Sequence, residues 1–254
     1  MVRRSQVTAR RMAASDLLWK SAEARADEME SIVSADDRIA RARSLYERAV
    51  YFGDLGAVEA AERELDGVEA DLLFTRGRLI HTRFLEARDE NQAKAKGDPA
   101  ELPLFERAAF LYQMLGDVRG EGEALLWVGL FHQVVNRDHA LAAPYLTRCL
   151  ELATKVGDKS TMSEALRHMG IADHAAGRLD AAREELEESV RLRREIGLMP
   201  GVASNLIGLT YIAAAQGRRD DAEALIDEAS SIAAAAGANR IVHHIEEARG
   251  NLGL

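Results

Sequence analysis

Met162-Ser-Glu-Ala-Leu-Arg-His-Met-Gly-Ile-Ala-Asp-His-Ala-Ala-Gly177 runs straight into Arg178-Leu-Asp-Ala-Ala-Arg-Glu-Glu-Leu-Glu-Glu-Ser-Val-Arg-Leu-Arg-Arg-Glu-Ile-Gly197. In both stretches apolar residues recur at three- and four-residue steps, the period of an amphipathic helix. Each closes on Gly, which takes the left-handed conformation after a helix at little cost. The second helix begins acidic (Glu184 to Glu188) and ends basic (Arg191, Arg193, Arg194), a solvated face that complements the helix dipole. Two such helices joined by a tight turn cannot bury their apolar stripes alone, so they must stack on further pairs.

The rest of the chain supplies those pairs. Gly116, Gly157, Gly197 and Gly237 are spaced by 41, 40 and 40 residues. A second register joins Asn136, Gly177 and Gly217, with Gly97 and Gly53 as its earlier members. Three apolar columns keep the same step of 40: Ala142, Ala182, Ala222; Leu146, Leu186, Ile226; Cys149, Ser189, Ala229. The pattern predicts helix pairs at about 36–66, 68–115, 118–156, 159–196 and 199–236. A leading helix at 6–32 and a closing helix at 238–252 flank them. The expectation is one all-α solenoid domain over 1–254, divided into a leading helix (1–34), repeats (35–237) and a closing helix (238–254). Two prolines disturb the rhythm. Pro103 predicts a delayed helix start, and Pro144 a kink or a late start, because an interior Pro removes a backbone hydrogen bond.

These residues resemble the tetratricopeptide repeat family. Leu166-x-x-Met-Gly170 and Leu206-x-x-Leu-Thr210 match its first helix, and Ala182 with Ser189, then Ala222 with Ala229, match the small residues of its second. The resemblance runs from about Leu104 to Gly237 and extends back to Ala35. A period of 40 rather than about 34 is similar to the long repeats of bacterial regulatory ATPases and activators. No Gly-x-x-x-x-Gly-Lys-[Ser/Thr] loop or helix-turn-helix segment accompanies it here. The resemblance implies a right-handed superhelix of about five pairs, with terminal helices as caps and a concave face formed by the first helix of each pair.

Carried over position by position from Gly129, Gly170 and Thr210, that face comprises Glu123, Leu126, Leu130 and Gln133, then Glu164, Arg167, Ile171 and His174, then Ser204, Ile207, Tyr211 and Ala214, with Asn205 at the rim. Apolar anchors among sparse polar groups suit a protein or peptide segment. The expected function is therefore a non-catalytic scaffold or regulatory adaptor. The binding set is Glu123, Leu126, Gln133, Glu164, Arg167, His174, Ser204, Asn205, Ile207 and Tyr211. Only Arg167 and Asn205 could grip a terminal carboxylate, and no Lys lines the face. The alternative is an enzyme or small-molecule receptor in which Glu164, Arg167, His174 and Tyr211 share a polar pocket.

Composition narrows the remaining classes. The 254 residues carry 33 Lys+Arg and 42 Asp+Glu, a net charge of −9, which argues against a nucleic-acid surface. Aromatic residues make up only 5% and Pro numbers four, so helix is favoured over strand. One Cys excludes an internal disulfide framework, and Cys149 sits at a small-residue packing position. No window of 18 apolar residues exists, so no membrane span is expected. The Arg-rich start (Met1 to Met12) lacks a signal peptide's apolar core, so the expected location is by default the cytoplasm. The His spacings do not favour a metal site, and no cofactor is implied; the His243-His244 cluster offers one i,i+4 pair, His243 with Glu247. In the closing helix, Ile241, Ile245 and Ala248 form a stripe that either caps the last pair or, if exposed, mediates a homodimer.

Overall fold

The computed structural model describes residues 35–91 and 95–254, and every element among them is helical. The leading helix and the Arg-rich start lie outside the described residues. In chain order the helices are α1 (Ala35–Phe52), α2 (Gly56–Glu90), α3 (Glu101–Leu115), α4 (Val118–Leu130), a π-helical turn (Phe131–Val135), α5 (His139–Val156), α6 (Lys159–Ala175), α7 (Leu179–Glu195), α8 (Met199–Ala215), α9 (Arg219–Ala235) and α10 (Asn239–Leu252).

Backbone packing divides the chain into two compact units, Met1–Val68 and Glu69–Leu254. In the first, the Arg41 guanidinium donates to both carboxylate oxygens of Glu64 (2.9 and 2.8 Å), tying α1 to the start of α2. The second holds the stacked pairs. Each of α4 to α9 packs on the helix that follows it, and α4, α6 and α8 also touch in sequence, so the first helices of successive pairs stand side by side. The result is an all-α solenoid of repeated helix pairs.

The 40-residue columns become the core. Ala142, Ala182, Ala222, Cys149, Ser189 and Ala229 are fully buried, and Leu146, Leu186 and Ile226 are within 1% of it. Close approach of the two helices in a pair explains Gly170. A Cβ there would stand 3.1 Å from the Ala182 carbonyl oxygen and 3.0 Å from Leu186 Cγ. In the closing helix, Ile245 and Ala248 are buried against α8 and α9, so this stripe caps the last pair.

Several boundaries differ from expectation. No turn separates 36–66 from 68–115: α2 is a single helix of 35 residues that runs through Asp66 and Gly67. Gly67 stays helical and instead admits Arg38, whose Nη1 lies 3.2 Å from where a Cβ would be. The second half of α2 then pairs with α3, through Phe74 and Gly77 against Phe105 and a 2.8 Å hydrogen bond from the Tyr112 hydroxyl to Asp71. Helix α3 is not delayed by Pro103. It starts at Glu101, and the amides of its first turn have no intrahelical acceptor in any case. Helix α5 also starts on time, with Asp138 Oδ1 capping the Leu141 amide at 2.9 Å; Pro144 leaves only the carbonyl of exposed Ala140 without its usual donor.

The second glycine register is off by one residue in its earliest pair. Gly170 to Gly177 and Thr210 to Gly217 are each seven residues, but Gly129 to Arg137 is eight. The extra residue is absorbed by the π-helical turn, in which Asn136 N–H donates to the Phe131 carbonyl and Asp138 N–H to the His132 carbonyl. Arg137, not Asn136, therefore falls where the sister repeats have Gly177 and Gly217. It adopts φ +56°, the only positive φ at a non-glycine position among the described residues.

Candidate functional site

The last turns of α2 extend beyond α3 and face the first helices of the following pairs. Asp89 forms an ion pair with Arg240 at the start of α10. Between the end of α2, the π-helical turn and α6 lies a cavity of about 470 Å³. Arg88, Arg137 and Arg167 line it together with His81, His139 and His168, and no Asp or Glu does among the described residues. Leu85, Trp127 and Ile171 form its apolar wall.

Hydrogen bonding fixes much of this wall. Buried Gln133 donates from Nε2 to the His168 carbonyl (2.8 Å) and to His139 Nδ1 (3.2 Å), and its Oε1 accepts from His168 Nδ1. Burial first, then the charges of Arg167, Arg193 and His81, pushes the His168 pKa down to about 3, so the ring is neutral. Arg167 donates to Asn205 Oδ1 (2.8 Å) and to the Ser204 carbonyl (3.3 Å). Burial, helped by Arg193 and opposed by Glu164, lowers its pKa to about 10; it stays cationic at neutral pH. His81 is itself buried, and its Nδ1 meets Glu101 Oε1 at 2.7 Å.

The ten residues expected to line the groove do not form one site. Gln133 and Arg167 belong to the cationic cavity. His174 and Tyr211 line a separate cavity of about 490 Å³ near α10, where the Tyr211 hydroxyl accepts from Asn251 (3.1 Å). Glu164 is paired with buried Arg193 at 2.6 Å. Asn205 is fully buried, bridging Arg167, Arg193 and Ser189. Leu126 is core. Glu123, Ser204 and Ile207 are half-buried, and burial followed by the charge of Asp158 raises the Glu123 pKa. The polar quartet of the enzyme alternative is thus divided: Arg167 lines one cavity, His174 and Tyr211 another, and Glu164 is ion-paired.

Elsewhere, burial raises the Cys149 thiol to about 12, which makes it a packing group and not a nucleophile. His243 and Glu247 meet at 3.4 Å on the exposed face of α10. No cluster of three His, Cys, Asp or Glu suited to a metal occurs among the described residues, nor is any helix among them long and apolar enough to cross a membrane.

Sequence reasoning did not select Arg88, Arg137, His139 or His168. For Arg137 the signal was present: its spacing to Gly177 is 40, the true period, while that of Asn136 is 41. Arg88 carries no repeat signal, because the end of α2 has no counterpart in the other pairs.

No curated protein matches the chain in sequence. Among solved structures, that of BtubC (BKLC) from P. vanneervenii is similar at 21% identity and a TM-score of 0.43, covering 81% of this chain and 93% of its own. A family model described as tetratricopeptide repeat matches residues 121–195, the stretch from α4 to the end of α7. Residues 121–195 are therefore tetratricopeptide repeats, members of a family whose repeats generally mediate protein–protein interactions.

Proposed function

We propose that the protein is a non-catalytic adaptor or regulator that holds a segment of a protein partner against the first helices of its pairs. The observation that carries this reading is the direct side-by-side stacking of α4, α6 and α8. Glu123 on α4 and Ser204, Ile207 and Tyr211 on α8 belong to these first helices, and each is half-buried and thus still able to touch a ligand. Half-buried apolar groups among sparse polar ones supply anchors and register for an extended or helical segment. The cytoplasm is the compartment we assign, since a lone buried thiol suits a reducing environment.

The test is affinity capture with the wild type and with an Ile207→Asp, Tyr211→Ala double variant, circular dichroism serving as the control for folding. Arg167 is left intact, because it holds Asn205 and a charge reversal would disturb the core. The expected result is a protein retained by the wild type and lost from the helical double variant. Equal retention by both would refute the assignment of this face.

A further inference from the structure

We infer that the cavity between the end of α2, the π-helical turn and α6 is a binding site for a small organic anion, with a phosphate or carboxylate head on an apolar body. Charge is the first argument. Three Arg residues line this space, with no Asp or Glu in its wall among the described residues, in a chain whose net charge is −9. Neither Arg88 nor Arg137 has a hydrogen bond or ion pair within the described residues, and the partners of Arg167 are a neutral amide and a carbonyl. Like charges gathered in a recess repel one another, and an oxyanion relieves that repulsion while accepting their N–H groups in pairs.

Backbone geometry is the second argument. Sister repeats turn at this point on Gly177 and Gly217 and have no inserted residue. Here the chain has both a π-helical insertion and an Arg in the left-handed region, and this Arg is one of the residues that line the cavity. Insertions and strained residues of this kind concentrate at binding sites. Size is the third. A volume of about 470 Å³ exceeds what a bare phosphate fills and lies in the range of small-metabolite pockets, while Leu85, Trp127 and Ile171 offer apolar contact to the body of the ligand. The inference is independent of the partner reading above, whose test touches neither Arg88 nor Arg137.

The experiment is calorimetric titration of the full chain at constant ionic strength with phenyl phosphate, phenylpropionate, inorganic phosphate and, as a neutral control, benzyl alcohol. The variants are Arg137→Gly and Arg88→Gln, chosen because neither side chain has a polar contact among the described residues. We expect saturable binding of at least one of the two aromatic anions, tighter than inorganic phosphate, and about tenfold weaker in each variant. Preference for phenyl phosphate assigns a phosphate head, and preference for phenylpropionate a carboxylate. Benzyl alcohol binding as tightly as the anions, absence of saturable binding, or binding unchanged in both variants would each overturn the inference.

Discussion

Replacing Arg137 with Gly should stabilise the protein even as it weakens the anion site. A residue with a Cβ at φ +56° costs about 1–2 kcal/mol relative to the right-handed conformation. Glycine escapes that cost but loses more freedom on folding, which offsets about 0.5–1 kcal/mol. The side chain forfeits no hydrogen bond or ion pair among the described residues, so the net gain is about 0.5–1 kcal/mol. For a cooperative unit the size of Glu69–Leu254, each kcal/mol moves the melting midpoint by about 2–4 °C, giving a rise of about 1–4 °C. Arg137→Ala keeps the strain and removes the charge, so it separates the two effects; its midpoint should stay within about 1 °C of the wild type. Differential scanning calorimetry without added anion, together with urea unfolding, reads both variants. If Arg137→Gly melts no higher than Arg137→Ala, the backbone at this position is unstrained and the geometric argument for the cavity fails.

Two further outcomes follow from the packing and from the neutral histidine. Gly170→Ala should destabilise by about 1–3 kcal/mol, because the new Cβ meets a backbone carbonyl that cannot swing aside; an unchanged urea midpoint would show that α6 and α7 have room to separate. His168 binds its proton near pH 3 when folded and near 6.5 when unfolded, so between those values the unfolded state holds more protons and stability falls as pH falls. The loss from pH 6.5 to 5 amounts to about 2 kcal/mol at most, and His168→Gln should flatten the pH dependence of the urea midpoint by a comparable amount. A His168 ring resonance titrating near pH 6.5 in the folded protein would contradict this.

Period analysis reads equivalence between repeats, and it succeeded wherever the fold is itself periodic. The Ala142, Leu146 and Cys149 columns are the core because a repeated helix pair must bury the same positions each time. Its weakness was at partners that cross between repeats. Nothing in the spacing of Arg167 and Asn205 foretells that one neutral amide occupies both Arg167 and Arg193, or that Glu164 is tied to Arg193. Those contacts decide which polar groups of the expected groove remain free, and they depend on three-dimensional neighbours 12 to 38 residues apart.

The departures from the period are more informative about function than the period itself. Helix α2 continues through the point where a pair should turn, and its overhang brings Arg88 toward α6. One inserted residue after Gly129 produces the π-helical turn and puts Arg137 in place of a glycine. The two irregularities, at Gly67 and at Phe131–Val135, lie far apart in the chain and yet both contribute to the lining of one cavity. The first also serves the packing of α3, but the second costs backbone strain. The inserted turn and its strained Arg137 bring the solenoid a third Arg at this recess, and that convergence with the end of α2 is the strongest physical reason to expect a ligand there.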